Sequence, residues 1–156
     1  MNEQMLVNPW WAALTTWGVV NLVNLLQSAG FLSRIFSKNL AINHLLGYGI
    51  MALAIPAVIA LVAFMRAGAT WQQWIGLAIF LAFLALMIAV DYIWLVEFRS
   101  PPRNEILVPY LVLFFGSILL MGLPMFRMDR RLWLVTVATT ILLITSMVMA
   151  MRKGVG

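Results

Sequence analysis

The chain has no cysteine, one histidine and five acidic residues among 156. Without cysteine there are no disulfides, no thiol nucleophiles and no thiolate metal sites. The one histidine, His44, has no HExxH pattern around it and lacks the further ligands a zinc ion needs. No stretch matches a nucleophile elbow, a phosphate-binding loop or a dinucleotide fingerprint. The expectation is therefore no bound metal, no cofactor and no catalytic residue. Charge is also scarce: 10% of residues are Asp, Glu, Lys or Arg, against about a quarter in an ordinary soluble domain.

Apolar residues fill the space. They make up 64% of the chain, and the mean hydropathy is +1.00. A chain this short cannot hide so much apolar surface in one aqueous core, so lipid is the solvent that fits. The formal net charge is +5, but the basic residues are scattered between apolar runs and form no patch interleaved with aromatics. Nucleic acid is not an expected partner. The lipid bilayer is, with the basic residues orienting the chain and meeting anionic headgroups. The start, MNEQMLVNPWW, lacks a positive n-region and a small-residue cleavage site, and reads as mature protein.

A spanning helix needs roughly 20 mostly apolar residues. Five windows qualify, at about 9–31, 43–65, 71–98, 106–126 and 132–151, within a single transmembrane domain covering 1–156. The fold class is thus an all-α polytopic bundle. Asn8 and Pro9 suit the start of the first helix. Pro56 predicts a kink in the second, because it leaves the Ala52 carbonyl without its usual donor. Thr70 with Gln73 forms a capping-box pattern for the third. Asp129, in the tight FRMDR turn, is placed to cap the fifth.

With five crossings the two termini lie on opposite sides. With the N-terminus outside, the inner segments hold Arg34, Lys38, Arg99, Arg103, Arg152 and Lys153, and the outer ones Arg66, Arg127, Arg130 and Arg131. The basic excess favours that orientation, in what is expected to be a prokaryotic plasma membrane. Trp10, Trp11, Trp71, Trp74 and Trp133 then fall at one interface, and Tyr48, Tyr92, Trp94 and Tyr110 at the other.

The stretch MIAVDYIWLVEFRSPPRNE, residues 87–105, interrupts this pattern. It holds three of the five acidic residues, Asp91, Glu97 and Glu105, together with Arg99 and Arg103 around a Pro-Pro turn. The topology puts these at one depth with Gln27, Ser28, Asn43, His44, Tyr48 and Tyr110. Asp91 lies about four residues, or roughly 6 Å, inside the end of its helix. It reads either as a proton-exchanging or cation-binding carboxylate, or as an interfacial acid that pairs to pin the helix. A relay between His44 and Asp91 is a further option; otherwise His44 is an interfacial hydrogen-bonding residue.

Helix one carries Asn21, Asn24, Gln27 and Ser28 within an arc of roughly 120°. Such a face is either the wall of a pore or ligand cleft, or hydrogen-bonding glue between helices. Thr136, Thr139, Thr140 and Ser146 on the last helix read as glue. Ala78, Ala82, Ala85 and Ala89, and Gly49, Ala52, Pro56, Ala60 and Ala63, read as seams where helices approach closely. Asp91 lies on the opposite side of its helix from Ala89, which makes helix three either central or a contact to another subunit. The eleven methionines are spread over the spans and read as flexible apolar filling.

Three functional readings follow, in order of preference. The first is a non-catalytic helical subunit that forms a homo-oligomer or docks on other membrane subunits. The second is a proton- or cation-coupled carrier or channel using Asp91 with Asn21, Asn24 and Gln27. The third is a membrane enzyme acting on lipid at the inner interface, with Asp91, Glu97 and His44 as acid and base. The site candidates are Asp91, Asn21, Asn24, Gln27, His44, Tyr48, Glu97, Arg99, Arg103, Glu105 and Tyr110.

Overall fold

A computed structural model describes residues 9–36, 40–96, 98 and 103–154. Among them all regular structure is helical, and five rods are long and apolar enough to cross a membrane: Trp10–Phe36, Ile42–Arg66, Trp71–Ile93, Asn104–Met128 and Arg130–Arg152. Over the described residues the protein is a membrane-embedded bundle of five helical rods.

The first rod is α1, Trp10–Phe36. Ala12 and Ala13 donate backbone N–H groups to the Pro9 carbonyl, while Asn8 lies outside the described residues. The second rod is broken into α2, Leu40–Ala52, and α3, Ala54–Arg66, with Leu53 between them. Pro56 has no N–H to offer the Ala52 carbonyl, and the break falls one turn before it. Around the break the ladder tightens: Leu53 N–H donates to Ile50 at 3.1 Å, and Ala57 N–H donates to Leu53 at 3.1 Å.

The third rod differs from the expected helix ending at Phe98. It is α-helical only through α4, Trp71–Met87, then widens into a π-helical turn at Ile88–Ile93 and ends there. Trp94 N–H reaches back five residues to Ala89 at 2.8 Å, and Val96 N–H reaches Val90 at 3.0 Å. Leu95 adopts φ 50°, a left-handed conformation that stops the helix. The reversal brings Phe98 back into the bundle, where it is fully buried. At the other end of α4, Thr70 occupies the N-cap position, but its hydroxyl accepts no capping bond. The expected capping box is reduced to a backbone contact, Gln73 N–H to the Thr70 carbonyl at 2.9 Å.

The last two rods are α5, Asn104–Met128, and α6, Arg130–Arg152. Asp129 alone makes the connection, in extended backbone. Its carboxylate accepts the Arg131 N–H at 2.7 Å, the cap expected of it. With one residue sufficient for the reversal, both helices run about two residues further than the apolar windows.

The rods form a closed ring in which α1 packs on α2 and α3, α3 on α4, α4 on α5, α5 on α6, and α6 on α1; α1 and α5 also meet across it. Val19, Val20, Val23, Phe80, Phe83, Ile118 and Met121 fill the middle. The helix with the most neighbours is α1. The third rod, expected to be either central or a contact to another subunit, leaves Ala82 and Ala85 of α4 exposed on its outer side. Its inner side lies against α5 at Gly76, where a Cβ would lie 2.6 Å from the Met121 nitrogen.

Candidate functional site

The polar face of α1 meets α6. Because both helices run in the same direction, their contacts keep a nearly constant register, with partners 115 to 118 residues apart. Trp17 Nε1 donates to the Leu132 carbonyl at 2.9 Å. One turn on, Asn21 Nδ2 donates to Thr136 Oγ1 at 3.1 Å, and Thr139 Oγ1 donates to Asn21 Oδ1 at 2.7 Å. Another turn on, Asn24 Nδ2 donates to Thr139 Oγ1 at 3.1 Å and to Thr140 Oγ1 at 3.0 Å. Ser28 closes the row on its own helix, donating to the Asn24 carbonyl at 2.7 Å. Asn21 and Asn24 were read either as a pore or cleft wall or as glue between helices, and here their amides face α6. Both are buried, and their amides join two helices. Gln27 is half-buried further along the same helix.

At the far end of the third rod the structure gathers a second polar group. The π-turn carries Asp91 and Tyr92 in succession and sends them to different neighbours. Asp91 Oδ2 accepts the Tyr110 hydroxyl of α5 at 3.2 Å. Tyr110 is buried, 7% exposed. Its ring lies 5.1 Å from both Phe83 and Phe98, so apolar neighbours hold the hydroxyl toward the carboxylate. Tyr92 turns to α2. Its ring lies 5.4 Å from Tyr48 and edge-on to His44 at 5.9 Å, and its hydroxyl reaches the His44 carbonyl at 3.5 Å. A Cβ on Gly47 would overlap that hydroxyl, so the absence of a side chain there lets the two helices meet.

Asn43 links α2 to the end of α1. Hydrogen bonding fixes its amide orientation: Nδ2 donates to the Gly30 carbonyl at 3.0 Å and to Ser33 Oγ at 3.1 Å, and Oδ1 accepts Arg34 Nε at 3.0 Å. The Arg34 guanidinium also lies over the Phe31 ring at 5.8 Å. Arg103 sits at the N-cap position of α5, exposed, and donates its backbone N–H to the Phe98 carbonyl at 2.9 Å. Glu105 is exposed in the first turn of α5. Glu97, Arg99 and Lys38 lie outside the described residues.

The structure thus brings His44 and Tyr48 together around Tyr92, and Asp91 together with Tyr110. It carries Asn21 and Asn24 to a different place, the α1–α6 interface. Tyr92, Gly47 and Phe98 complete the cluster and were not among the expected site residues. The adjacency of Tyr92 to Asp91 was the one available signal for it; the contacts of Gly47 and Phe98 depend on a π-turn that hydropathy does not reveal. Such turns occur often at functional sites, because the extra residue re-aims the side chains around it. A carboxylate held by a phenol at the rim of a bundle can exchange a proton, bind a cation or anchor its helix. Among the described residues no three His, Asp or Glu side chains form a group that holds a metal. Compared with family models, with curated proteins and with solved structures, the chain matches none of them.

Proposed function

We propose that this protein is a small non-catalytic membrane subunit that associates with a second helical chain through the outer face of α4. The observation that carries the reading is the exposure of Ala82 and Ala85, with half-buried Ala78 and Ala89 on the same face. These four positions fall within an arc of roughly 60°. In lipid, apolar side chains gain little by leaving the acyl chains, and helices associate where small residues let their backbones approach. Large side chains dominate the exposed surface elsewhere, including Ile55, Ile59, Val112, Leu119, Leu123 and Ile141.

The absence of native cysteine makes the test direct. Ala82→Cys and Ala85→Cys, oxidised in native membranes, are expected to give a crosslinked product of defined mass. Cysteine at Val112 on α5 is expected to give none. Ala82→Leu combined with Ala85→Leu should abolish co-purification of the partner chain or second copy. A stable monomer with no crosslink at either alanine would refute the reading.

A second reading, proton or cation coupling at Asp91, draws support from the π-turn that presents this carboxylate to Tyr110. With Asn21 and Asn24 committed to α6, such a path would run beside Asp91 and not along α1. In proteoliposomes, Asp91→Asn is expected to abolish dissipation of an imposed pH gradient, and Tyr110→Phe to weaken it. Equal rates in wild type and Asp91→Asn would exclude coupling through this group.

A further inference from the structure

The end of the bundle that holds the starts of α1, α4 and α6 carries a charge arrangement that the proposed subunit role does not use. Three arginines, Arg127, Arg130 and Arg131, fall within five residues of the α5–α6 turn, and all three are exposed. Arg66, at the end of α3, is exposed at the same end. Among the described residues the one acid at that end is Asp129, and its carboxylate caps α6. No guanidinium of this group pairs with a carboxylate among the described residues. Arg127 Nη1 donates to Gln72 Oε1 on α4 at 3.3 Å. The Arg130 guanidinium rests over the Phe126 ring at 5.6 Å, and that ring meets Trp133 edge-on at 5.2 Å.

We infer that this turn is a binding site for the phosphate of an anionic glycerophospholipid in the adjacent leaflet. The charge requires a negative partner: three cations with their one neighbouring acid engaged attract a headgroup of net negative charge over a zwitterionic one. The chemistry selects phosphate, since guanidinium donors match its oxygens and bind them with charge-assisted hydrogen bonds. The setting places that phosphate at headgroup depth. Trp133 and Phe126 sit beside the arginines, and Trp10, Trp11 and Trp71, each at least 46% exposed, mark the same interface. Acyl chains of the bound lipid would run down the exposed apolar flank of α5 and α6, past Leu123 and Leu134.

The test uses the full chain in nanodiscs made from equal parts of phosphatidylglycerol and phosphatidylcholine, with retained lipid read by native mass spectrometry. The wild type is expected to retain phosphatidylglycerol in excess of its bulk share. R127Q/R130Q/R131Q should bring retention to the bulk ratio, with about a fivefold loss per arginine. R127Q/R131Q keeps the Arg130–Phe126 contact and should give an intermediate loss, which preserves the test if the triple variant does not fold. R152Q/K153Q, at the opposite end, removes two exposed cations outside this turn and should lower retention less than R127Q/R131Q does. Bulk-ratio retention by the wild type, or unchanged retention by R127Q/R131Q, would overturn the inference. So would a wild type that inorganic phosphate stabilises in phosphatidylcholine discs without phosphatidylglycerol enrichment, because the site would then serve a soluble anion.

Discussion

Gly76→Leu is expected to leave no stably folded bundle, and Gly76→Ala to lower stability by about 1–3 kcal/mol. The reason is what a new Cβ would meet. It would lie 2.6 Å from the Met121 nitrogen and 2.8 Å from the Leu120 carbonyl carbon, both backbone atoms of α5. A side chain in the way can rotate; a helix backbone can only retreat. Retreat at this point would separate α4 from α5, the most extensively packed pair in the bundle. The contact also lies one turn before Pro124, which cannot donate to the Leu120 carbonyl, so α5 is locally short of a helical hydrogen bond here. Gly116 supplies the control. It lies in the same α5, and a Cβ there would meet nothing within 4 Å. Gly116→Ala should be neutral or stabilising by up to about 1 kcal/mol. Unfolding in detergent, followed by tryptophan fluorescence, separates the two; equal midpoints for both alanine variants would show that α4 and α5 do not meet at Gly76.

Asn21→Ala combined with Asn24→Ala should loosen the bundle by about 2 kcal/mol from lost hydrogen bonds alone. Four bonds join these amides to Thr136, Thr139 and Thr140. At about 0.6 kcal/mol each they sum to that figure, and the emptied volume adds to it. The two residues are not equivalent. Asn21 uses both ends of its amide across the interface, whereas Asn24 Oδ1 is buried and accepts no hydrogen bond. Asn24→Leu removes that unmatched oxygen along with two donated bonds, so it should cost less than Asn21→Leu. The same unfolding measurement, made on both single variants, checks the order; a larger cost at Asn24 would contradict the ladder as described.

Most of the fold was legible from apolar run length, because a spanning helix must satisfy its own backbone and so reports its length directly. Pro56 and Asp129 also acted locally, through a missing donor and a short side-chain acceptor, and the break near Leu53 and the cap on α6 follow from them. The end of the third rod was not legible. Residues 94–98 are apolar enough to continue a helix, yet the chain widens at Ile88 and reverses at Leu95 so that Phe98 can fill space beside Tyr110. That choice belongs to tertiary contacts and leaves no periodicity behind. The arc of Asn21 and Asn24 was visible, but its meaning was not. A polar stripe at helical spacing suits a pore wall and a helix seam equally. The difference lies in Thr136, Thr139 and Thr140, more than a hundred residues away, and in the parallel register that brings them opposite.

That register also bears on how the molecule is made. The amides belong to the first of these five rods in chain order, and the threonines to the fifth. Until residue 140 has entered the bilayer, Asn21 and Asn24 have no threonine to receive them. Four rods therefore precede α6 in synthesis, and the ring cannot close before α6 arrives. The α1–α6 interface works as a latch, and the ring remains open for as long as α6 is missing.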